Sequence, residues 1–437
     1  MTHMPRLAAS RGAAYIFGIG AAAYLVAVLH RTALGVASVD AAARFDIEAT
    51  ALAMLAVLQI AVYALIQVPA GLLLDRWGPA RVIVIGSLVL AAGQAMMAFA
   101  PGFWWALGAR VLIGAGDAPI FIAVTRLISI HFPPRRVPVM VQVAGLIGMS
   151  GQLATTIPFA WALRVAGWER AFGGLAVVGL LVAVVVFFAL VRPTLGEPRE
   201  KGAAFSLAEA MRTHWHTPGV RLGFWSHFLG PFSSNAIALL WGVPFFTMGH
   251  GASKAEASAL LTVLVVANIV AGPVLGVLTA RHPLRRSWLV LGGAVMTAGA
   301  WVAVLIPSEP LPLWQLTIFV AVIGAGGPAS LIGMDFARSF AVQHRAGSAT
   351  GFVNMGGFLA TVFAVLLVGV VLQIASPPGA TDYALGEFRL AFASLALPWL
   401  VGVVGVIRSR RGTRAVMAAD GVVVPTIREV WQRYRER

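Results

Sequence analysis

The chain has no cysteine, only two lysines, and few charges of either sign. Without cysteine there is neither a disulfide framework nor a thiolate metal site. Charged residues make up 11% of the 437 residues, against about 25% in soluble globular domains. Acids are scarcer than bases: 17 Asp and Glu stand against 32 Lys and Arg, a formal net charge of +15. An excess of that size would suit a nucleic-acid partner if it formed one patch. Here the arginines stand singly or in short groups at the ends of apolar runs, as they do at a membrane edge, so nucleic acid is not predicted. The patterns GxSxG, HExxH and GxxxxGK[ST] are also missing, and the nine histidines show no ligand spacing. His214 and His216 sit in a hydrophilic connection and do not suggest a metal. The sequence therefore predicts no enzyme, no cofactor and no metal site.

What is present is apolar and long. The chain is 59% hydrophobic, with a mean hydropathy of +0.86. Its apolar runs are continuous and do not alternate with period two, which favours membrane-spanning helices over a barrel. At about 20 apolar residues per crossing, twelve spans are predicted: 13–37, 50–74, 81–99, 104–130, 138–163, 171–192, 221–248, 256–280, 286–306, 312–340, 347–374 and 385–408. One set of connections is acidic (Asp40, Asp46, Glu48, Glu169, Glu256, Glu309, Asp382, Glu387). The other holds Arg76, Arg81, Arg135, Arg136, Arg199, Lys201, Arg281, Arg285, Arg286 and Arg345, together with the basic tail. By the positive-inside rule, the basic side and both termini are predicted to be cytoplasmic. The N-terminal MTHMPRLAASRG leads into an apolar run too long for a signal-peptide core.

Between the second and third predicted spans the chain reads GLLLDRWGPAR at 71–81. This resembles the loop between helices two and three of the major facilitator superfamily, with pattern G-x-L-x-D-R-x-G-x-x-R/K. Gly71, Leu73, Asp75, Arg76, Gly78 and Arg81 fill every specified position. A second copy, GVLTARHPLRR, follows 205 residues later; Gly71, Arg76 and Arg81 map to Gly276, Arg281 and Arg286, while Asp75 maps to Ala280. IGAGD at 113–117 is echoed by IGAGG at 323–327. The resemblance implies an all-α membrane protein, with twelve helices in two pseudo-symmetric bundles rocking about a central cavity. The expected boundaries are 1–192 for the first bundle, 193–220 for a cytoplasmic linker, 221–408 for the second bundle and 409–437 for a basic tail. SLAEAMRTHW, after the linker's RPTLGEPREKGAAF, is expected as a short interfacial helix.

Ionisable residues inside spans are costly without a role. His30 and Arg31 lie late in the first span. Arg31 is expected to bind a substrate carboxylate or phosphate in bidentate fashion; the plain alternative is an arginine snorkelling to the outer interface. Arg110 and Asp117 are seven residues apart and share a helix face. The R-x6-acid spacing, with an arginine in the first span, resembles the anion:cation symporter branch. That resemblance implies proton coupling at Asp117, tuned by Arg110, with the anion on Arg31; a static Arg110–Asp117 pair that only fixes packing is the alternative. Burial opposes the carboxylate's charge and a nearby arginine favours it, so such a group can load and unload a proton. The seventh span carries no arginine and has His227, Asn235 and Trp241 instead. His30, Gln152, Asn235 and Asn354 are candidate substrate contacts. Asp335 and Arg338 are placed at a gate, with Asp335 paired to Arg281 or Arg286. Arg126 lies at similar depth, facing Asp75 or the interface. Asp75 is expected to be drawn to the positive N-terminus of the eleventh span, latching the halves together; local backbone capping is the alternative.

These features predict a secondary transporter performing proton-coupled symport of a small organic anion. Its partners are that substrate, the proton and the bilayer, and it acts as a monomer. The alternatives are proton-driven efflux of amphipathic compounds and a sensor or scaffold that no longer transports. Thirty arginines against two lysines suggest a GC-rich bacterial source, hence the inner membrane.

Overall fold

A computed structural model of the chain describes residues 11–47, 49–194, 206–342, 345–377, 382–425 and 429. Glu48, Arg199, Lys201 and most of the tail beyond 425 lie outside the described residues. Among those described there is no strand.

Among the described residues eleven helical segments are long and apolar enough to cross a membrane, but one of them, Val137–Thr194, runs for 58 residues. At about 1.5 Å per residue a straight helix of that length would far exceed a bilayer of about 30 Å. It breaks instead at Gly167, whose φ of 79° and ψ of 176° let the chain reverse with no loop. Twelve crossings result among the described residues: Arg11–Val36, Ala49–Trp77, Pro79–Ala98, Phe103–His131, the two parts of Val137–Thr194, Pro218–Gly249, Lys254–Arg281, Arg286–Leu305, Leu313–Phe340, Ala346–Ala375 and Leu385–Ala419. They are called spans 1 to 12 in that order.

Three local features depart from the sequence expectation. A short amphipathic helix, Ser38–Phe45, follows span 1 where only a connection was expected, and it ends on Asp46 in the left-handed region (φ 49°). Spans 7 and 10 are not regular helices. Pro231 and Pro244 each remove an amide donor, and span 7 passes through π turns at Ile237–Trp241 and Phe245–Gly249. Span 10 tightens to a 3-10 turn at Gly327–Leu331, around Pro328. Span 12 continues as helix to Ala419, carrying Arg408, Arg410, Arg411 and Arg414 with it.

The two halves of the chain meet along two seams, span 2 against span 11 and span 5 against span 8. Glycines set both. A Cβ on Gly71 would lie 2.5 Å from Ser348 Cα and 2.6 Å from the Gly347 oxygen; one on Gly276 would lie 3.0 Å from Val139 Cα. Two glycines 205 positions apart thus do the same task in mirrored places. The outer faces present Leu65, Val165, Ile306 and Ile374, the apolar surface a helix turns toward lipid.

Candidate functional site

A cavity of about 200 Å³ lies between the halves. Tyr24 and Tyr63 line it from the first half; His227, Asn235, Asn268 and Asn354 line it from the second. Beside the tyrosines sits a buried ion pair. Arg31 Nε donates to Asp117 Oδ2 at 2.5 Å, and Arg31 Nη2 donates to Oδ1 at 3.0 Å. Asp117 has no solvent exposure, while Arg31 keeps 23%, and its guanidinium lies 4.8 Å from the Tyr63 ring centroid. Glycines bring the neighbouring backbones in around Asp117. A Cβ on Gly114 would meet the Gln59 oxygen at 2.6 Å, and one on Gly116 would meet the Gly86 oxygen at the same distance. The carboxylate is thereby enclosed by spans 2, 3 and 4, with Arg31 its one hydrogen-bonding side chain among the described residues.

Arg110 shares a helix face with Asp117, as its spacing implied, and stays within electrostatic reach of it, but its hydrogen bond goes elsewhere. It is buried and donates from Nε to the Leu55 carbonyl at 3.2 Å. Helical side chains lean toward the helix N-terminus, so Arg110, which precedes Asp117 by two turns, leans away from it. His30 is also elsewhere. One residue from Arg31 is a rotation of about 100°, and its ring packs against Gly179 of span 6, where a Cβ would lie 2.9 Å from its Cε1. Gln152 is exposed and not part of the cavity lining. Asn354 Nδ2 reaches Tyr63 Oη across the halves at 3.4 Å, and Asn235 Nδ2 donates to Thr361 Oγ1 at 3.1 Å. His227 Nδ1 lies 3.0 Å from the Ser330 carbonyl; that partner is an acceptor only, so Nδ1 carries the proton and Nε2 is left as acceptor.

At the basic end the cavity is closed. Asp75 accepts the backbone N–H of Gly347 at Oδ1 (2.6 Å) and that of Ser348 at Oδ2 (2.8 Å). These are among the first amides of span 11, which no carbonyl of that helix can satisfy. Gly351 completes the approach: a Cβ there would lie 2.1 Å from the Gln67 oxygen. Gly78, with φ 73°, turns the chain into Pro79 at the start of span 3. Arg76 is exposed and Arg81 is half-buried. On the second half, Asp335 accepts from Arg286 Nη1 at 2.5 Å and from Arg338 Nη2 at 2.5 Å, whereas Arg281 is exposed. Arg126 lines a narrow space with Asp335, Arg338 and Thr350.

The linker helix, Leu207–His216, lies under this closed end. His214 is wholly buried, and its Nε2 is 3.0 Å from Ser348 Oγ. Sequence inspection set His214 aside as a metal ligand, gave it no other role, and did not single out the tyrosines. An isolated histidine in a polar connection carries no pattern, and a tyrosine in an apolar run looks like core; only the packing distinguishes them.

Two helical halves around a polar cavity, sealed at one end by capped helices, define a membrane transporter. The profile of the Major Facilitator Superfamily matches residues 20–250, and the chain belongs to that superfamily. Two proteins of Agrobacterium vitis, each named "Putative tartrate transporter", are 26% and 25% identical over 380 residues; the alignments cover 77% of this chain and 79% and 82% of theirs. A shorter segment of 126 residues is 33% identical to the efflux pump patC of Aspergillus clavatus, covering 28% of this chain and 22% of that one.

Proposed function

We propose that the chain carries a small organic anion together with a proton, moving both by alternating access, with the basic end on the cytoplasmic side. One observation carries this: Asp117 and Arg31 pair in bidentate fashion beside a cavity that both halves line. While Asp117 is charged, the guanidinium is occupied. A proton on Asp117 removes the charge that holds it and releases Arg31 to a substrate carboxylate, whose geometry matches the same bidentate fork. Proton and anion are thereby taken up together. Tyr63, stacked on Arg31 and bonded to Asn354, links that exchange to the second half. The alternative arrangement, a permanent pair that only fixes packing, would leave the first half's side of the cavity with hydroxyl and amide donors but, among the described residues, no cation to offer an anion. The tartrate transporters among its relatives support a hydroxylated dicarboxylate as the first substrate to test.

The test is reconstitution into liposomes with a pH-sensitive dye. Tartrate should drive proton movement in its own direction, and Asp117→Asn should retain tartrate binding while losing the proton. Counter-directional proton flux would instead favour efflux, in line with the local similarity to patC. No flux and no binding across organic acids would reject the assignment.

A further inference from the structure

The sequence of the linker suggests only a hydrophilic connection with a short interfacial helix. Its position here is more specific. Ser206 Oγ caps the linker helix by accepting the Glu209 N–H at 3.2 Å. The helix then lays Ala210 and His214 inward, both without solvent exposure. His214 Nε2 meets Ser348 Oγ at 3.0 Å, and the backbone N–H of that serine is one of the two amides held by Asp75. One turn away, Arg345 donates to Thr213 Oγ1 at 2.8 Å and to Glu209 Oε1 at 3.2 Å. The His214 ring also faces Phe352 at 5.8 Å. The linker helix therefore grips the first turn of span 11, whose Ser348 also bonds Asp75, and it touches span 2 as well.

We propose that the linker helix is a third component of the basic-end gate, and that His214 is a positioning residue holding Ser348 for Asp75. The inference rests on the alternating-access reading above, but it is tested through gate accessibility and not through substrate. Opening the gate must withdraw span 11 from both Asp75 and His214, exposing the imidazole.

That exposure makes the gate respond to pH. In the closed arrangement burial, aided by the positive charge of Arg345, holds His214 down at about 4. Among the described residues its Nδ1 has no hydrogen-bond partner, so an imidazolium would bury an N–H that none of them satisfies. The charged groups around it do not invite a cation. Arg345 stands at the start of span 11, Arg221 of span 7 donates to the Trp215 carbonyl beside it, and Asp75 of span 2 is committed to its two amides and to the hydroxyl of Ser348. Glu209 lies on the linker helix itself and is paired to Arg345. In the open arrangement a solvated histidine returns to about 6.5. Protons therefore favour the open gate: closure is fully supported above about 6.5 and weakens as pH falls toward 4. The two values give about a tenfold shift in the open-to-closed ratio at pH 5.5 and almost none at pH 7.5.

The absence of native cysteine allows a direct test. Ser129→Cys places one thiol in the space closed beside Asp335. Its labelling by a membrane-impermeant maleimide is followed in inside-out vesicles, normalised at each pH to the same cysteine in the Asp75→Asn background. Normalised labelling should rise about tenfold from pH 7.5 to pH 5.5. His214→Asn, which can still bond Ser348 but does not titrate, should abolish that rise. His214→Ala should label fast at both pH values. A pH response that persists in His214→Asn, or a parent that shows none, overturns the proposal. A cysteine that stays unlabelled even with Asp75→Asn would overturn the gate as well.

Discussion

Replacing Asp75 by Asn tests the gate most directly. The carboxylate accepts two amides at 2.6 and 2.8 Å, at the positive end of a helix of 30 residues. Hydrogen bonds to a charged acceptor contribute about 1.5–3 kcal/mol each, and the helix terminus favours an anion by about 0.3–1 kcal/mol. Asparagine retains one carbonyl oxygen. Its NH2 group would face a second N–H, so one bond is lost and one amide is left unsatisfied. A net loss of about 2–3 kcal/mol corresponds to a shift of about 30- to 150-fold toward the open gate. Alternating access needs two states within a few kcal/mol of each other, so this shift is enough to make the closed state a minor one. The assay pairs uptake with labelling of Ser129→Cys at pH 7.5. Uptake should fall at least tenfold, labelling should rise, and expression should be unchanged. Asp75→Glu, one methylene too long for both amides, should fall between. Parental uptake together with parental labelling in Asp75→Asn would refute the latch.

Two further outcomes follow from the same packing. Gly351→Ala should mimic the open phenotype, because a methyl group 2.1 Å from the Gln67 oxygen forces spans 2 and 11 apart; Gly292→Ala, with nothing within 4 Å, should not. Arg31→Gln leaves Asp117 buried without its partner, a situation that costs about 3–5 kcal/mol, so its melting temperature should drop. Adding Asp117→Asn should recover most of that loss; failure to recover would mean that the ion pair does not couple the two residues.

The family, the number of crossings and the mirrored glycines were legible because each rests on a local rule. Apolar length marks a span, and Gly71 and Gly276 recur at a fixed offset. The contacts of individual side chains were less legible. Arg110 and Asp117 share a helix face, but the lean of helical side chains sends Arg110 to Leu55 and leaves Asp117 to another span. His30 adjoins Arg31 in sequence, yet helical rotation turns it to span 6. Tyr63 and His214 were silent because what matters about them is the partner across the seam: Asn354, 291 positions away, and Ser348, 134 positions away. No periodicity encodes such a pairing.

The mirrored seam shows why the second copy of the loop motif dispenses with its acid. At the first seam Gly71 admits span 11, and Asp75, one turn on, captures two amides. At the second seam Gly276 admits span 5, and Ala280 occupies the place of the acid. Span 5 begins Val137–Pro138, and proline has no N–H to give. The missing acceptor is matched by the loss of one of the two donors, Val139 alone keeping its N–H, so a carboxylate there would be desolvated for about half the return. On that half, charge is instead committed within the bundle, where Asp335 ties span 10 to Arg286 of span 9. The expectation is therefore that one carboxylate, Asp75, governs closure. Ala280→Asp alone should leave Ser129→Cys labelling unchanged. Combined with Pro138→Ala, which restores an amide in the first turn of span 5, it should slow labelling below the parental rate. Equal slowing by Ala280→Asp alone would show that the donor is not the limiting element and that the two seams are not matched in this way.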